Sequence, residues 1–371
     1  MAIDKVTSAS ITDSAVTSAK VASGVLQPNF RNIIINGDMN QAQRSTSVSS
    51  ITSSGYHSLD RFRHGINSQG TWTISQASTV PTGQGFNKSL KMNCTTADSS
   101  PASGDYLWIE QRVEGQNLQY LKKGTSSAES LTVSFWVYAT KTGTNIVELY
   151  DKDNTRHICQ SYTISSSDTW EKKELTFTGD TTGAFTNDTD ESFSLLFWLG
   201  AGSDYTSGTL ATSWASVSGA AANRAVGQVN HADSTSNNFY ITGVQLEAGT
   251  AASDFEFLPA DVNLNRCMRY FYKKVSTNPY GPLCQGMQIG GNDCMMQGYH
   301  PVKMRAGPSI SVSGSWAVES GTTNAVFAIG TQRSNQFGWS NQQAISATDG
   351  SGAICYGNND SSATFLASAE I

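Results

Sequence analysis

The side chains with the most chemistry to offer in this sequence are its flat rings. Eight tryptophans and 13 tyrosines stand in a chain with only 15% charged residues. Several occupy runs that alternate with a period of two, the spacing of a strand whose successive side chains point to opposite faces. In residues 106–114, Leu107, Ile109 and Val113 share one face and leave Trp108 with Glu110 and Arg112 on the other. In residues 131–140, Trp136 and Tyr138 oppose Leu131, Val133, Phe135 and Val137. In residues 193–199, Trp198 falls with Ser194 and Leu196 against Phe193, Leu195, Phe197 and Leu199. A ring set beside hydroxyl or charged neighbours suits a sugar, stacking on its C–H face while polar groups bond its hydroxyls. Trp108, Glu110, Arg112, Trp136, Tyr138 and Trp198 therefore form one candidate glycan platform. Trp316, Phe337, Trp339 and Tyr356, each among Ser, Asn and Gly, form a second set. The alternative stays open at this level: rings of this size are usually buried, under a loop, a helix or a neighbouring subunit.

Bond-breaking chemistry leaves little trace. The sequence has no H-E-x-x-H, no G-x-S-x-G, no phosphate-binding G-x-x-x-x-G-K-[ST] and no dinucleotide fingerprint. Its five histidines show no metal-ligand spacing. The clusters Asp151/Asp153 and Asp188/Asp190/Glu191 have the composition of a calcium site or of a glycan-cleaving carboxylate pair. They also sit where turns favour Asp and Asn, and we read them as loop chemistry. No catalytic residue and no metal ligand is assigned, and the chain is expected not to be an enzyme. Six cysteines without a C-x-x-C form neither a zinc framework nor a dense disulfide scaffold, and read as free thiols of a reducing compartment.

A net charge of −6 excludes the basic footprint that nucleic acid or an anionic membrane demands. No apolar stretch is long enough to span a bilayer, and the opening residues do not read as a signal peptide. With 33 glycines and abundant Ser and Thr, the composition predicts an all-β protein. Within an N-terminal segment of residues 1–30, residues 6–25 repeat every five positions, with Val6, Ile11, Val16 and Val21 in one phase and Ala9, Ser14, Ala19 and Gly24 in another. That period matches neither helix nor strand. An apolar column so short must borrow surface from identical chains or a docking partner, which predicts a stem. A disordered tail with accidental periodicity is the other reading.

Residues 31–258 read as a jelly-roll sandwich of short strands, beginning at 32–36, with an extended excursion over 200–237. Residues 259–275 are expected to form a connecting helix, with Pro259 in its first turn, Val262, Leu264, Cys267, Met268 and Phe271 as its stripe, and Lys273 and Lys274 at its end. Residues 276–371 read as a distal β-domain.

Two phrases carry a family resemblance. Asn32-Ile-Ile-Ile-Asn-Gly-Asp-Met-Asn40 with Ser58-Leu-Asp-Arg-Phe62 resembles the opening of the sandwich domain of bacteriophage tail-fibre proteins. Asn238-Phe-Tyr-Ile-Thr-Gly-Val-Gln-Leu-Glu-Ala-Gly249 with Asp254-Phe-Glu256 resembles its close. Asn265-Arg-Cys-Met-Arg-Tyr-Phe-Tyr272, Met304-Arg-Ala-Gly-Pro308 and Ser368-Ala-Glu-Ile371 are similar to the distal part, and the repeats to stalk segments. The resemblance implies a homotrimeric virion protein, made in the host cytoplasm, that docks on the particle through its N-terminus and attaches to host surface polysaccharide. A purely structural fibre or decoration protein on the capsid and a glycan depolymerase are the other readings. The sandwich also resembles carbohydrate-binding modules with a structural calcium. Asp38 suits such a site, but the closing strand has Thr242-Gly243 where an acidic ligand is expected, so no cofactor is assigned. Deleting residues 1–27 is expected to abolish incorporation into the particle while the remainder folds; a truncated chain that incorporates normally overturns the anchor.

Overall fold

The structure is a computed structural model, and it describes residues 30–217, 219–289, 294–319, 329–341 and 350–371. The five-residue repeats, with Val6, Ile11, Val16 and Val21, lie outside the described residues. The described chain is almost all β. Two six-stranded antiparallel sheets form the larger unit. One, sheet A, has the order β1-β3-β4-β12-β6-β9, with β1 Ser47–Ile51, β3 Thr71–Ala77, β4 Ser89–Thr96, β6 Leu131–Ala139, β9 Glu171–Phe177 and β12 Asn238–Ala248. The other, sheet B, has the order β11-β8-β7-β10-β5-β2, with β2 Arg63–Asn67, β5 Tyr106–Glu114, β7 Gly143–Asp151, β8 Arg156–Ile164, β10 Glu191–Ala201 and β11 Ala215–Ser216.

The chain crosses repeatedly between the sheets, so neither can form alone. What holds them face to face is the alternation already visible in the sequence. Val133, Phe135 and Val137 of β6 meet Leu107 and Ile109 of β5 and Phe193, Leu195 and Phe197 of β10 in one core, all fully buried or nearly so. Burial of each such side chain contributes on the order of 2 kcal/mol. The opening phrase departs from expectation, because residues 32–36 form no strand. Asn32 instead pairs through its side chain: Nδ2 donates to the Val244 carbonyl at 3.1 Å, and Oδ1 accepts from the amides of Ile34 and Leu246. An amide side chain thus replaces ladder bonds beside β12. Gly243 sits at φ +63° where the register shifts between Thr242 and Gln245, a bulge that a side chain would strain.

The smaller unit is a second packing of two sheets. A three-stranded sheet β13-β21-β16 (Phe271–Val275, Thr364–Ser368, Ser309–Ser313) lies against a six-stranded sheet β17-β20-β14-β15-β19-β18. The latter runs through Trp316–Glu319, Gly352–Gly357, Pro282–Gln288, Cys294–Tyr299, Gln336–Asn341 and Ile329–Gln332. Tyr272, Phe365 and Ala367 meet Cys294, Met296, Trp316, Val318 and Cys355 in its core. The connecting helix is shorter than the sequence suggested. Apart from the single turn α1 (Ser203–Thr206), the α-helix among the described residues is α2, Ala260–Met268. Residues 271–275 pair with β21, so Phe271, Lys273 and Lys274 belong to a strand. Their alternation satisfies a waiting edge, and that outweighs continuation of the helix.

The two units meet across charged groups taken out of water. Arg61, 1% exposed at its side chain, pairs with Glu370, which also receives Arg44 at 2.9 Å. The Arg61 guanidinium lies 3.5 Å above the Tyr270 ring. Glu114 accepts from Arg269 at 2.6 and 2.9 Å and from the Tyr270 hydroxyl at 2.5 Å. Removing one member leaves a buried charge unpaired, at a cost of about 3–5 kcal/mol. Glu370→Gln is therefore expected to lower the unfolding free energy by that amount, read as a lower denaturant midpoint with an unchanged slope; an unaltered midpoint would mean that water solvates Arg61.

Candidate functional site

The outer face of sheet A carries a cluster of rings. The inward residues of β6 are Leu131, Val133, Phe135 and Val137, so Trp136 and Tyr138 point away from the core. Register then does what the sequence alone does not. Tyr240 of β12 stands beside Tyr138, and Thr242 beside Trp136. Trp170 enters from the start of β9. Tyr138 and Tyr240 meet edge to face at 5.0 Å, and Tyr138 and Trp170 meet at a tilt at 5.6 Å. Lys91 of β4 sits 5.3 Å from the Tyr240 ring centre. Trp136, Tyr138 and Trp170 are partly exposed, whereas Tyr240 is nearly buried between them. Burial and the hydrogen bond to Asp168 push the Tyr138 phenol up from its ordinary value. The result is a neutral aromatic surface edged by the ammonium groups of Lys91 and Lys172, the latter opposite Trp136 in register. The sequence pattern above does not single out Trp170 or Tyr240. Tyr240 alternates against Phe239 and Ile241, which was a usable signal; Trp170 gave none.

The other ring-bearing strands lie on the opposite side of the molecule. Trp108, Glu110, Arg112 and Trp198 occupy the outer face of sheet B, so the six residues do not form one platform. This face is largely closed. Trp198 is fully buried, with no ring face open to solvent. Its Nε1 donates to Glu148 at 2.9 Å, and Tyr205 of α1 covers it at 5.3 Å. The excursion over 202–230 supplies this cover, because its Arg224 reaches Glu148 with Nε at 2.9 Å and Nη2 at 3.1 Å. Trp108 stacks on Tyr106 at 4.2 Å and lies across Gly65, where any Cβ would meet its ring. Glu110 is buried, engaged by Arg63 and by Arg112 at 3.2 Å, and Arg112 also reaches Glu191 at 3.3 Å. The charges of these groups are thus balanced by one another.

Glu148, His157 and Cys159 place three ligand-type atoms within 4.8 Å of one another. Burial pushes the Glu148 carboxyl up, but Arg224 and His157 overcome it and hold it below the usual carboxylate range. A divalent ion there would confront the guanidinium, and burial pushes the Cys159 thiol far up. The set reads as a pin that fastens the excursion to the sheet. Asp151 is buried on Lys123 at 2.5 Å, and Asp153 accepts from Thr186, so the first acidic cluster is engaged in loop structure. Asp190 meets Arg305. Asp38 accepts from Asn263 and Asn40, while Arg31 lies between Glu247 at 3.5 Å and Glu256 at 4.0 Å. A guanidinium thus already supplies positive charge where the opening phrase meets the end of β12.

In the smaller unit Trp316 is buried, with Nε1 donating to the Ser313 carbonyl at 3.0 Å, and Phe337 is buried beside Phe365. Tyr356 is half-buried, and Trp339 pairs through its backbone with Met296. The residues this sheet exposes are instead Met287, Met295, Tyr299 and Ile354.

No protein-family profile and no curated protein matches the sequence. Solved structures similar to it include the enzymatically active domain of tailspike protein 4 of bacteriophage CBA120, at 14% identity and a TM-score of 0.30, over 59% of this chain and 22% of that one. The chain therefore spans about a fifth of that protein's length. TmCBM61 in complex with β-1,4-galactotriose is matched at 8% identity and a TM-score of 0.30, over 59% of this chain and 99% of that one. A sugar-binding protein described from Bacteroides thetaiotaomicron is matched at 14% identity and a TM-score of 0.31, over 59% of this chain and all of that one.

Two histidines make the sandwich acid-sensitive. Burial pulls His64 and His231 down to about 3, and neither ring nitrogen of His64 has a hydrogen-bond partner. The folded protein keeps both neutral while the unfolded chain protonates near 6.5, so the unfolded state binds more protons between those values. Stability is full above pH 6.5 and is lost as the pH falls toward 3. Replacing His64 by Leu is expected to shrink the stability difference between pH 7.5 and 4.5 by roughly 2 kcal/mol in urea titrations; an unchanged difference would place the acid sensitivity elsewhere.

Proposed function

We propose that this protein is a non-enzymatic glycan-binding component of a virion, a homotrimeric tail fibre that attaches to host surface polysaccharide. The observation that carries the binding half is the surface formed by Trp136, Tyr138, Trp170 and Tyr240. Three partly exposed rings packed on a nearly buried fourth, in a hydroxyl-rich sheet with cations at the edge and little net charge, suit the apolar faces and hydroxyls of sugars. Each stacked ring is worth on the order of 1 kcal/mol, so a single site binds weakly. Trivalency and several fibres per particle would multiply that affinity. Pairing of the buried carboxylates Glu110, Glu148 and Asp151 with cations supports binding over catalysis. Attachment to a particle and the trimeric state rest on the opening and closing phrases and on the N-terminal repeats, which need identical neighbours.

Trp136→Ala and Tyr138→Ala are each expected to weaken binding of host polysaccharide several-fold, and together about tenfold or more, with light-scattering mass at three chains and an unchanged melting temperature. Unchanged binding in the double variant would remove the platform. A monomer, or reducing ends released from the polysaccharide, would overturn the wider reading.

A further inference from the structure

A second concave site lies where the opening phrase, the end of β5 and α2 converge. It is a cavity of about 390 Å³, within the range of small-molecule pockets, and its walls include Phe30, Arg112, Tyr120, Arg266, Arg269 and Tyr270. Three guanidinium groups in one cavity of an acidic protein call for an account. Two have one: Arg112 pairs with Glu110 and Glu191, and Arg269 pairs with Glu114. The third does not. Among the described residues no carboxylate lies within ion-pair distance of Arg266, which makes one weak bond, from Nη2 to the Asn32 carbonyl at 3.4 Å. Arg266 is nonetheless partly buried, and the loss of water pulls its guanidinium down from the ordinary value, which Glu256, acting from beyond ion-pair distance, does not offset.

A partly desolvated arginine without a carboxylate partner is costly unless something pairs with it, and its planar fork matches a carboxylate. The rest of the cavity states what accompanies that carboxylate. Tyr120 and Phe30 are both at least half exposed, so they offer ring faces at the mouth. An anion attached to a flat, partly apolar ring satisfies both features. We propose that this cavity binds a hexuronate unit of an acidic polysaccharide, with Arg266 holding the carboxylate and Tyr120 covering the sugar ring. The proposal rests on the reading of the chain as a glycan binder, and it adds a site on a different face that selects for charge.

The test titrates the full chain with an oligoglucuronate and with the neutral oligoglucose of equal length, at low and high salt. The wild type is expected to bind the acidic oligomer with a salt-sensitive affinity. Arg266→Gln is expected to weaken it roughly tenfold to a hundredfold, the range for losing a charge-assisted pair. Arg266→Lys should restore part of the affinity, which a merely structural role would not produce. Tyr120→Ala, at an exposed side chain, should weaken it as well and keeps the test alive should Arg266→Gln fail to fold. Neutral binding in these variants should stay at the wild-type level. Acidic-oligomer binding that survives Arg266→Gln, or that is lost only when Trp136 and Tyr138 are replaced, overturns the pocket. Neutral binding without acidic binding also overturns the pocket alone; no binding of either oligomer overturns the glycan reading with it.

Discussion

A guanidinium sealed from water must find its counter-charge, and Arg61 finds it 309 residues further along the chain, at Glu370. That requirement organises the molecule. Arg61 also donates to the Arg112 carbonyl at 2.6 Å and lies on Tyr270, while Glu114 gathers Arg269 and the Tyr270 hydroxyl. Residues of both units are thereby pinned to one polar core. A buried pair is no efficient source of stability, but it tolerates few alternatives, because any other docking strands two ions. The junction therefore specifies how the two units sit more sharply than an apolar contact of the same area would. The cavity beside Arg266 is a by-product of the same crowding of arginines, with one left over.

The larger unit obeys a second constraint. Two sheets that bury one face each have two outer faces, and these look in opposite directions. Side-chain parity places a residue on an outer face without saying which. Trp108 and Trp136 share the same pattern in sequence and end up on opposite sides of the sandwich. What then separates them is the segment between β10 and β12, which folds back over sheet B and is fixed there by Arg224 on Glu148. Among the described residues, sheet A has no such cover over its rings.

The fold class was therefore legible, and the site only in part. Strict alternation in residues 131–139 and 193–199 is a local signal, and it located the core correctly. The pairing of Tyr240 with Tyr138 spans about a hundred residues and depends on the register of β12, which no local pattern encodes. The branched side chains of Asn32–Asn36 look like a strand, whereas the segment is held to β12 by the side chain of Asn32 and two isolated backbone bonds, from Ile33 to Leu246 and from Val244 to Gly37. The helix was overextended because Phe271 fits a helical stripe and an alternating strand equally well, and only the presence of β21 decides. Arg266 carries no local signal: an unpaired cation is defined by the lack of an acid within ion-pair distance, a property of the folded chain.

The ring cluster of sheet A lies on the broad side of a sheet, and the strands beside it run on past the rings. A polymer laid across such a surface need not present its end. It can be gripped at any interior unit, and shifted by one repeat it meets the same rings again. Each additional repeat then adds an equivalent way to be held, so the statistical weight of the bound state grows with the length of the polymer even when the contact itself does not change.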